Sequence, residues 1–142
     1  MARPRLRAAL EVAPALLGRD GERHYLVGFL NPAEARGLGG HMGNFAELTV
    51  LDGHISLGRF GRADGLNRRG PDPDGRVVTG PAEFLARWGR FGYRQTDGTT
   101  DVMPWSNISM PPDLPMVATV AAELYPQSGG TRIDGVVTLL PE

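Results

Sequence analysis

The dipeptide Asp52-Gly53 is the feature that most restricts how this chain can fold. It separates two runs that are typical of strands, Asn44–Leu51 and His54–Phe60. A two-residue hairpin turn needs positive φ at both central residues, which Asp and Gly tolerate better than most residues do. The sequence therefore predicts an antiparallel β-hairpin. Apolar residues alternate with Ser and Gly along its second strand, so we expect one face to meet solvent or a site.

The remaining elements follow from hydrophobic spacing and from helix-end signals. Apolar residues at helical spacing predict helices, and continuous β-branched or aromatic runs predict buried strands. Proline is tolerated in the first turn of a helix, and Asp is a favoured N-cap. Three helices are predicted: one near residues 5–17, one that begins at Gly80-Pro81 and one that begins after Asp113. Two further strands are predicted, a central strand buried on both faces at His24–Leu30 and a last strand at Arg132–Leu140.

These elements predict the α/β class, with α+β as the alternative. A helix that leads into a β-branched strand is half of a βαβ unit, so we expect a mixed sheet of about four or five strands with helices packed against it. A length of 142 residues fits a single domain over residues 1–142. Two long loops are predicted, at residues 61–80 and 92–112, where glycine, proline and charged residues dominate.

Composition excludes several classes of function. The net charge of −1 argues against a general nucleic-acid binder. There is no cysteine, which excludes disulfides, thiolate metal sites and cysteine nucleophiles. All fifteen basic residues are arginine, a bias that suits either a GC-rich coding sequence or the recognition of anions. No stretch reaches the roughly 20 apolar residues of a membrane span, and the N-terminal residues favour an amphipathic helix over a signal peptide.

The segment Asn31–Asn44 is the most polar and glycine-rich connection between apolar runs. It is either a shaped binding loop or a tight connection whose glycines allow close packing of strands. It does not predict a nucleotide site, because a strand rather than a helix follows the glycines and the P-loop lysine is absent. Glu34 and Arg36 would form either an anion receptor or an ion pair that anchors the loop. The three histidines lack metal-ligand spacing, so no metal site is predicted.

Three separated motifs resemble the bacterial domain-of-unknown-function family 4012. The motifs are the polar residues of the glycine-rich segment, Asp113-Leu114-Pro115 before a helix, and Ile133-Asp134-Gly135 in the last strand. The resemblance covers roughly residues 14–141. It implies an extracytoplasmic protein of the bacterial envelope and no established activity. His41 stands where the family often has an aromatic residue, and Leu140 where it often has Asp. Family members are usually longer, so the resemblance also implies a fragment of a larger architecture.

A weaker likeness, in layout only, links the chain to the LytR-CpsA-Psr ligases, which attach glycopolymers to cell walls. Arg36, Arg62 with Asp64, and Asp134 would occupy places similar to charged residues of those enzymes. The acid that follows the first arginine there is absent here, where Gly37 and Leu38 stand.

Two hypotheses about function follow. The first is an envelope-associated binding or assembly module that performs no catalysis alone and needs no cofactor. The second is a glycopolymer phosphotransferase-like enzyme that grips a polyprenyl pyrophosphate through Arg36 and Arg62, with Mg²⁺ held by Asp64. The ligand is expected to be anionic or glycan-linked, and a membrane would be reached only through segments outside this chain. The candidate ligand-binding residues are Asn31, Glu34, Arg36, Gly39, Gly40, His41, Asn44, Arg62, Asp64 and Asp134.

Overall fold

A four-stranded mixed sheet forms the centre of the molecule in the computed structural model, which describes residues 4–92 and 104–140. Its strand order is β3-β2-β1-β4. β1 is antiparallel to β2, β2 is antiparallel to β3, and β4 runs parallel to β1. The strands are β1 (Arg23–Asn31), β2 (His41–Leu51), β3 (His54–Arg62) and β4 (Gly135–Leu139). The α/β prediction, with its mixed sheet and packed helices, is confirmed.

The hairpin turn adopts the conformation that its residues predict. Asp52 has φ 48° and Gly53 has φ 77°. Asp52 and Gly53 also donate their backbone N–H groups to the carbonyls of Gly18 and Leu17, at 3.2 and 2.8 Å. The turn that joins β2 to β3 is thereby tied to the segment that precedes β1.

The helices are α1 (Pro4–Leu16), α2 (Ala82–Trp88), α3 (Pro104–Asn107) and α4 (Leu114–Gln127). The Asp113 side chain accepts a hydrogen bond from the backbone N–H of Met116 at 2.8 Å, so the predicted N-cap of α4 is confirmed. α2 begins one residue after Pro81 and buries Phe84, as its spacing predicts. α1 forms as predicted but leaves Leu6 and Leu10 exposed, so its apolar side chains lie outside the hydrophobic core.

The prediction that residues 61–80 form an irregular loop is wrong in part. A 3-10 helix spans Ala63–Arg68, and Ala63 and Leu66 are fully buried in the core. Asn67 accepts a hydrogen bond from the Trp105 backbone N–H at 3.0 Å, which ties this helix to α3. Tertiary contacts order the segment, although its composition is that of a loop. Of the second predicted loop, residues 93–103 lie outside the described residues, and the described remainder includes α3.

One face of the sheet carries the core. Trp105, Phe45 and Tyr125 are buried there, with edge-to-face ring contacts of 5.9 Å between Trp105 and Tyr125 and 6.0 Å between Phe45 and Tyr125. The other face, which we call the open face, carries residues that alternate with the core residues along each strand. It includes Val27 and Ala46, which are buried at its centre, and the exposed or half-buried Phe29, Leu48, Ile55, Leu57, Phe60, Val137 and Leu139. The strand β1 is central, but Tyr25 and Phe29 are only half-buried, so its predicted burial on both faces is incomplete.

Candidate functional site

A polar cavity of about 210 Å³ lies where β1 ends, β2 begins and β3 ends. We call it the polar pocket. Three separate parts of the chain form it, and it gathers six of the ten residues that the sequence nominates. The lining residues are Asn31, Glu34, His41, Gly43, Asn44, Arg62 and Asp64. Two carboxylates, two carboxamides, an imidazole and a guanidinium thus meet in one small cavity.

Backbone hydrogen bonds hold the connection between β1 and β2 in shape. The N–H of Gly37 donates to the Met110 carbonyl at 3.2 Å, and the N–H of Leu38 donates to Ser109 at 3.1 Å. Within the connection, the N–H of His41 donates to the Glu34 carbonyl at 3.0 Å. These bonds place Glu34 beside the start of β2. The polar residues of the pocket therefore project from a well-anchored backbone.

Gly39 and Gly40 shape this connection and do not line the polar pocket. Gly40 has φ 158°, and a Cβ atom there would lie 2.5 Å from the Asn31 carbonyl oxygen. Gly39 has φ 113°, which L side chains rarely adopt. Close packing of the backbone accounts for Gly40, as the simpler interpretation of the segment expects, and the positive φ accounts for Gly39.

His41 is oriented by α3. Its Nδ1 lies 3.1 Å from the Ser106 carbonyl oxygen, which can only accept a hydrogen bond. Nδ1 therefore carries a proton and donates this hydrogen bond. This hydrogen bond fixes the orientation of the His41 ring at the wall of the polar pocket.

Arg62 and Asp64 form an ion pair at the rim of the pocket. Arg62 Nε lies 3.2 Å from Asp64 Oδ1, and Nη2 lies 3.5 Å from Oδ2. This hydrogen bonding lowers the pKa of Asp64 below its ordinary value, with a smaller contribution from the charge of Arg62. The Arg62 side chain is 79% exposed, so solvent screens the pair.

Arg36 is not among the residues that line the polar pocket. Its Nη1 donates to the carbonyl of the neighbouring Ala35 at 3.0 Å, and its buried Nε has no hydrogen-bond partner within the described part of the chain. No ion pair links it to Glu34 among residues 4–92 and 104–140. The predicted loop-anchoring ion pair is thus absent from the described residues, and the anion-receptor role stays a prediction.

Asp134 lies at the other end of the sheet, just before β4. Its Oδ2 accepts a hydrogen bond from the His24 backbone N–H at 2.8 Å, and its Oδ1 lies 3.5 Å from Arg23 Nη1. These contacts fasten the starts of β1 and β4 to each other. Asp134 therefore has a structural role, and it is separated from the polar pocket by the length of β1.

A larger apolar cavity, about 700 Å³, adjoins the polar pocket on the open face. We call it the apolar cleft. Its walls are Phe29, Leu30, Asn31, Gly43, Asn44, Phe60, Leu139 and Leu140. Except for Asn31 and Asn44, these residues were not among the ligand-binding candidates that the sequence predicted. The available signal was the alternation along β3, which predicted that one face would meet solvent or a site; here that face carries the apolar residues.

No group of three or more potential metal ligands occurs among the residues that the structure describes. Glu34, Asp64 and His41 share a cavity without forming such a group.

The family model described as a protein of unknown function, DUF4012, matches residues 20–142. Since this match covers most of the 142 residues, the chain belongs to that family. The match begins after α1 and includes the whole sheet and both cavities. No curated protein and no solved structure matches the chain. The layout likeness to the LytR-CpsA-Psr ligases stays a prediction.

Proposed function

We propose that this chain is a binding module of the cell envelope, and that its polar pocket takes a hydroxyl-rich, glycan-type ligand without catalysis by this chain alone. The observation that carries the proposal is the convergence of polar side chains from β1, β2 and β3 and the segments that follow β1 and β3 on one cavity. A concave site with a few convergent polar groups is the usual form of a small-molecule site.

The chemistry of the pocket favours hydroxyl groups over a multiply charged anion. Glu34 and Asp64 bring two carboxylates to the pocket and Arg62 brings one guanidinium, so the acidic groups outnumber the arginine. A pyrophosphate would have to displace Asp64 from Arg62 and approach Glu34. A sugar hydroxyl donates to a carboxylate and accepts from an amide or a guanidinium, so it satisfies both kinds of group.

The alternative is the phosphotransferase-like enzyme with bound Mg²⁺ and a polyprenyl pyrophosphate. Arg62 and Asp64 line the polar pocket, which supports this alternative in part. Arg36 is absent from the lining, and Asp134 lies at the opposite end of the sheet. Two of the charged groups that this enzyme would need therefore do not reach the pocket, and binding without catalysis is the better supported proposal.

Location in the envelope, on its extracytoplasmic side, is proposed from the family resemblance. The described helices include none that is long and apolar enough to cross a membrane. Fractionation of cells that express the whole native gene product, followed by protease treatment of intact cells, tests this location. Recovery of the protein only in the protease-protected soluble fraction would contradict it.

Binding is tested by NMR titration of the labelled protein with methyl β-glucoside, with a second titration by inorganic pyrophosphate and Mg²⁺. We expect the glucoside to shift the side-chain amide signals of Asn31 and Asn44 in a saturable way. Glu34→Gln should weaken this response about tenfold, since a hydrogen bond to a charged group contributes about 1.5–3 kcal/mol. Arg36→Ala should leave it unchanged.

The matched control is Glu83→Gln, because Glu83 is an exposed carboxylate on α2 that pairs with Arg87 rather than with the pocket. It should behave as the unaltered protein does. Saturable binding of pyrophosphate that depends on Mg²⁺, Arg36 and Arg62 would replace this proposal with the enzyme alternative.

A further inference from the structure

The polar pocket and the apolar cleft are neighbouring cavities. They share three lining residues, Asn31, Gly43 and Asn44. On one side of this shared wall stand the charged and amide groups of the pocket. On the other side, none of the described residues that line the cleft is charged.

Gly43 stands at the junction of the two cavities. The pairing of β1 with β2 shifts register here, because Phe29 pairs with Asn44 and Leu30 pairs with Met42. Gly43 is thus the extra residue of a β-bulge, a device that often redirects side chains next to functional sites. A Cβ atom on Gly43 would have no other heavy atom within 4 Å, so the space beside it is open.

Aromatic and aliphatic side chains that solvent reaches form the walls of the cleft. Phe29 and Phe60 meet edge to face, with ring centroids 5.9 Å apart. Phe60 is 66% exposed, and Leu139 and Leu140 are about half exposed. Leu140 also approaches Gly39, within 3.8 Å of where a Cβ of that glycine would lie. Exposed apolar surface next to a polar site is costly in water unless a ligand or partner covers it.

We propose that the ligand of this chain is an amphiphile, with a hydroxylated head group in the polar pocket and a single alkyl chain in the apolar cleft. The inference rests on the proposed function, which supplies the head group, and it adds the apolar half of the ligand. The adjacency of the two cavities at Asn31, Gly43 and Asn44 carries it, because a head group held by Asn31 and Asn44 has its linkage beside the cleft.

A series of alkyl β-glucosides tests the proposal: the methyl, hexyl and octyl compounds, titrated below their critical micelle concentrations. Affinity should rise about two- to fourfold for each methylene that enters the cleft. Signals from Phe60 and Leu139 should shift with the hexyl and octyl compounds and stay in place with the methyl compound. Affinity that is independent of chain length would overturn the proposal.

Phe60→Ser and Leu57→Ser form a matched pair of variants. Both residues lie on the open face of β3 and both are largely exposed, but only Phe60 lines the cleft. Phe60→Ser should remove most of the gain from the octyl chain, and Leu57→Ser should retain it. Equal losses in the two variants would indicate adsorption to the open face at large and would overturn the proposal.

Gly43→Val adds a side chain at the residue that lines both cavities and removes none of their walls. Its side chain would enter open space at the junction, so octyl glucoside should lose at least tenfold in affinity while thermal stability stays the same. Unchanged octyl binding in this variant would overturn the proposal. If methyl glucoside binds and the chain adds nothing, the proposed function stands and this inference fails. If no glucoside binds, both fail.

A second copy of the chain is the competing occupant of the cleft. Sedimentation without glucoside measures it directly. Self-association that Phe60→Ser abolishes would assign the cleft to a second copy and overturn the amphiphile proposal.

Discussion

The two faces of the sheet differ sharply although both carry apolar side chains. On the covered face, Trp105 and Tyr125 are fully buried beneath the helices. On the open face, Leu57 is 76% exposed and Phe60 is 66% exposed. Burial of apolar area stabilises a fold in proportion to the area removed from water. The covered face therefore supplies most of the stability, and the open face is available for binding.

The two faces also differ in whether their polar side chains are hydrogen-bonded to one another. Under the sheet, Arg59 Nη2 donates to Tyr125 Oη at 2.9 Å and to Glu47 Oε1 at 3.2 Å, and the Tyr125 hydroxyl donates to the same carboxylate. Arg59, Tyr125 and Glu47 thus pair with one another, which offsets the cost of burying charge, although the buried Nε of Arg59 has no hydrogen-bond partner among the described residues. In the polar pocket, by contrast, the side-chain NH₂ group of Asn31 has capacity to bind a ligand, while Asn31 Oδ1 accepts a hydrogen bond from the Ala33 N–H at 3.1 Å.

The largest effect is expected from truncation on the covered face. Trp105→Ala should lower the free energy of unfolding by about 3–5 kcal/mol, because it leaves a cavity and removes the 2.7 Å hydrogen bond from Trp105 Nε1 to Ser128 Oγ. Leu57→Ala on the open face should change it by less than about 0.5 kcal/mol. Urea unfolding measures both. Similar losses would mean that the open face is buried in solution.

Tyr125→Phe measures the contribution of the Tyr125 hydrogen bonds separately from that of its ring packing. It keeps the ring and removes the hydroxyl, so Glu47 loses a hydrogen bond beneath the sheet. We expect a loss of about 1–3 kcal/mol in the free energy of unfolding at neutral pH. An unchanged free energy of unfolding would mean that water replaces the hydroxyl.

The pH dependence of this loss has a definite sign. Burial first, and then the hydrogen bond to Glu47, raise the pKa of Tyr125 above the ordinary value of 10. A raised pKa in the folded state gives a contribution that is complete below pH 10 and is lost as the pH rises toward the folded pKa. The stability difference between the unaltered protein and Tyr125→Phe should therefore shrink above about pH 10, in urea titrations at increasing pH.

Gly53 in the hairpin turn and Gly43 in β2 allow the effect of backbone conformation to be separated from the effect of available space. Neither Gly53 nor Gly43 has a heavy atom within 4 Å of an added Cβ, but only Gly53 has a positive φ, of 77°. Gly53→Val should cost about 1–2 kcal/mol of unfolding free energy because L side chains resist this conformation. Gly43→Val should cost less than about 0.5 kcal/mol. Thermal unfolding compares them, and equal losses would contradict the role of φ.

Local chemistry explains which parts of the fold the sequence could predict. The turn at Asp52-Gly53 and the cap at Asp113 depend on residues within a few positions of each other, and both formed as expected. The 3-10 helix at Ala63–Arg68 was missed because contacts with α3, far along the chain, order it. The sequence likewise shows that β3 has two unlike faces, but the packing of helices decides which face stays open.

The candidate site was also predictable in part, where its residues lie close together in the sequence. Asn31, Glu34 and Asn44 belong to one segment whose composition marks it, and the hairpin brings Arg62 beside them. Arg36 has the same sequence signal but does not line the pocket, since carbonyls of Met110 and Ser109 fix the path of the loop around it. The apolar cleft was missed because exposed apolar residues on a strand resemble core residues until the sheet is assembled.

The smallest effect is expected at the rim of the polar pocket, where solvent screens the ion pair of Arg62 and Asp64. Hydrogen bonding by Arg62 is the main reason that the pKa of Asp64 is lowered, and the charge of Arg68 contributes less. Arg62→Gln should therefore raise the pKa of Asp64 toward its ordinary value, and Arg68→Gln should raise it less. NMR titration of the Asp64 carboxyl carbon measures both.

Because the pKa of Asp64 is lowered in the folded state, its pair with Arg62 stabilises the fold above the ordinary pKa range of Asp, and this contribution is lost as the pH falls through the folded pKa. A larger rise in Arg68→Gln than in Arg62→Gln would contradict the pairing, and it would leave Arg62 free to bind a ligand directly.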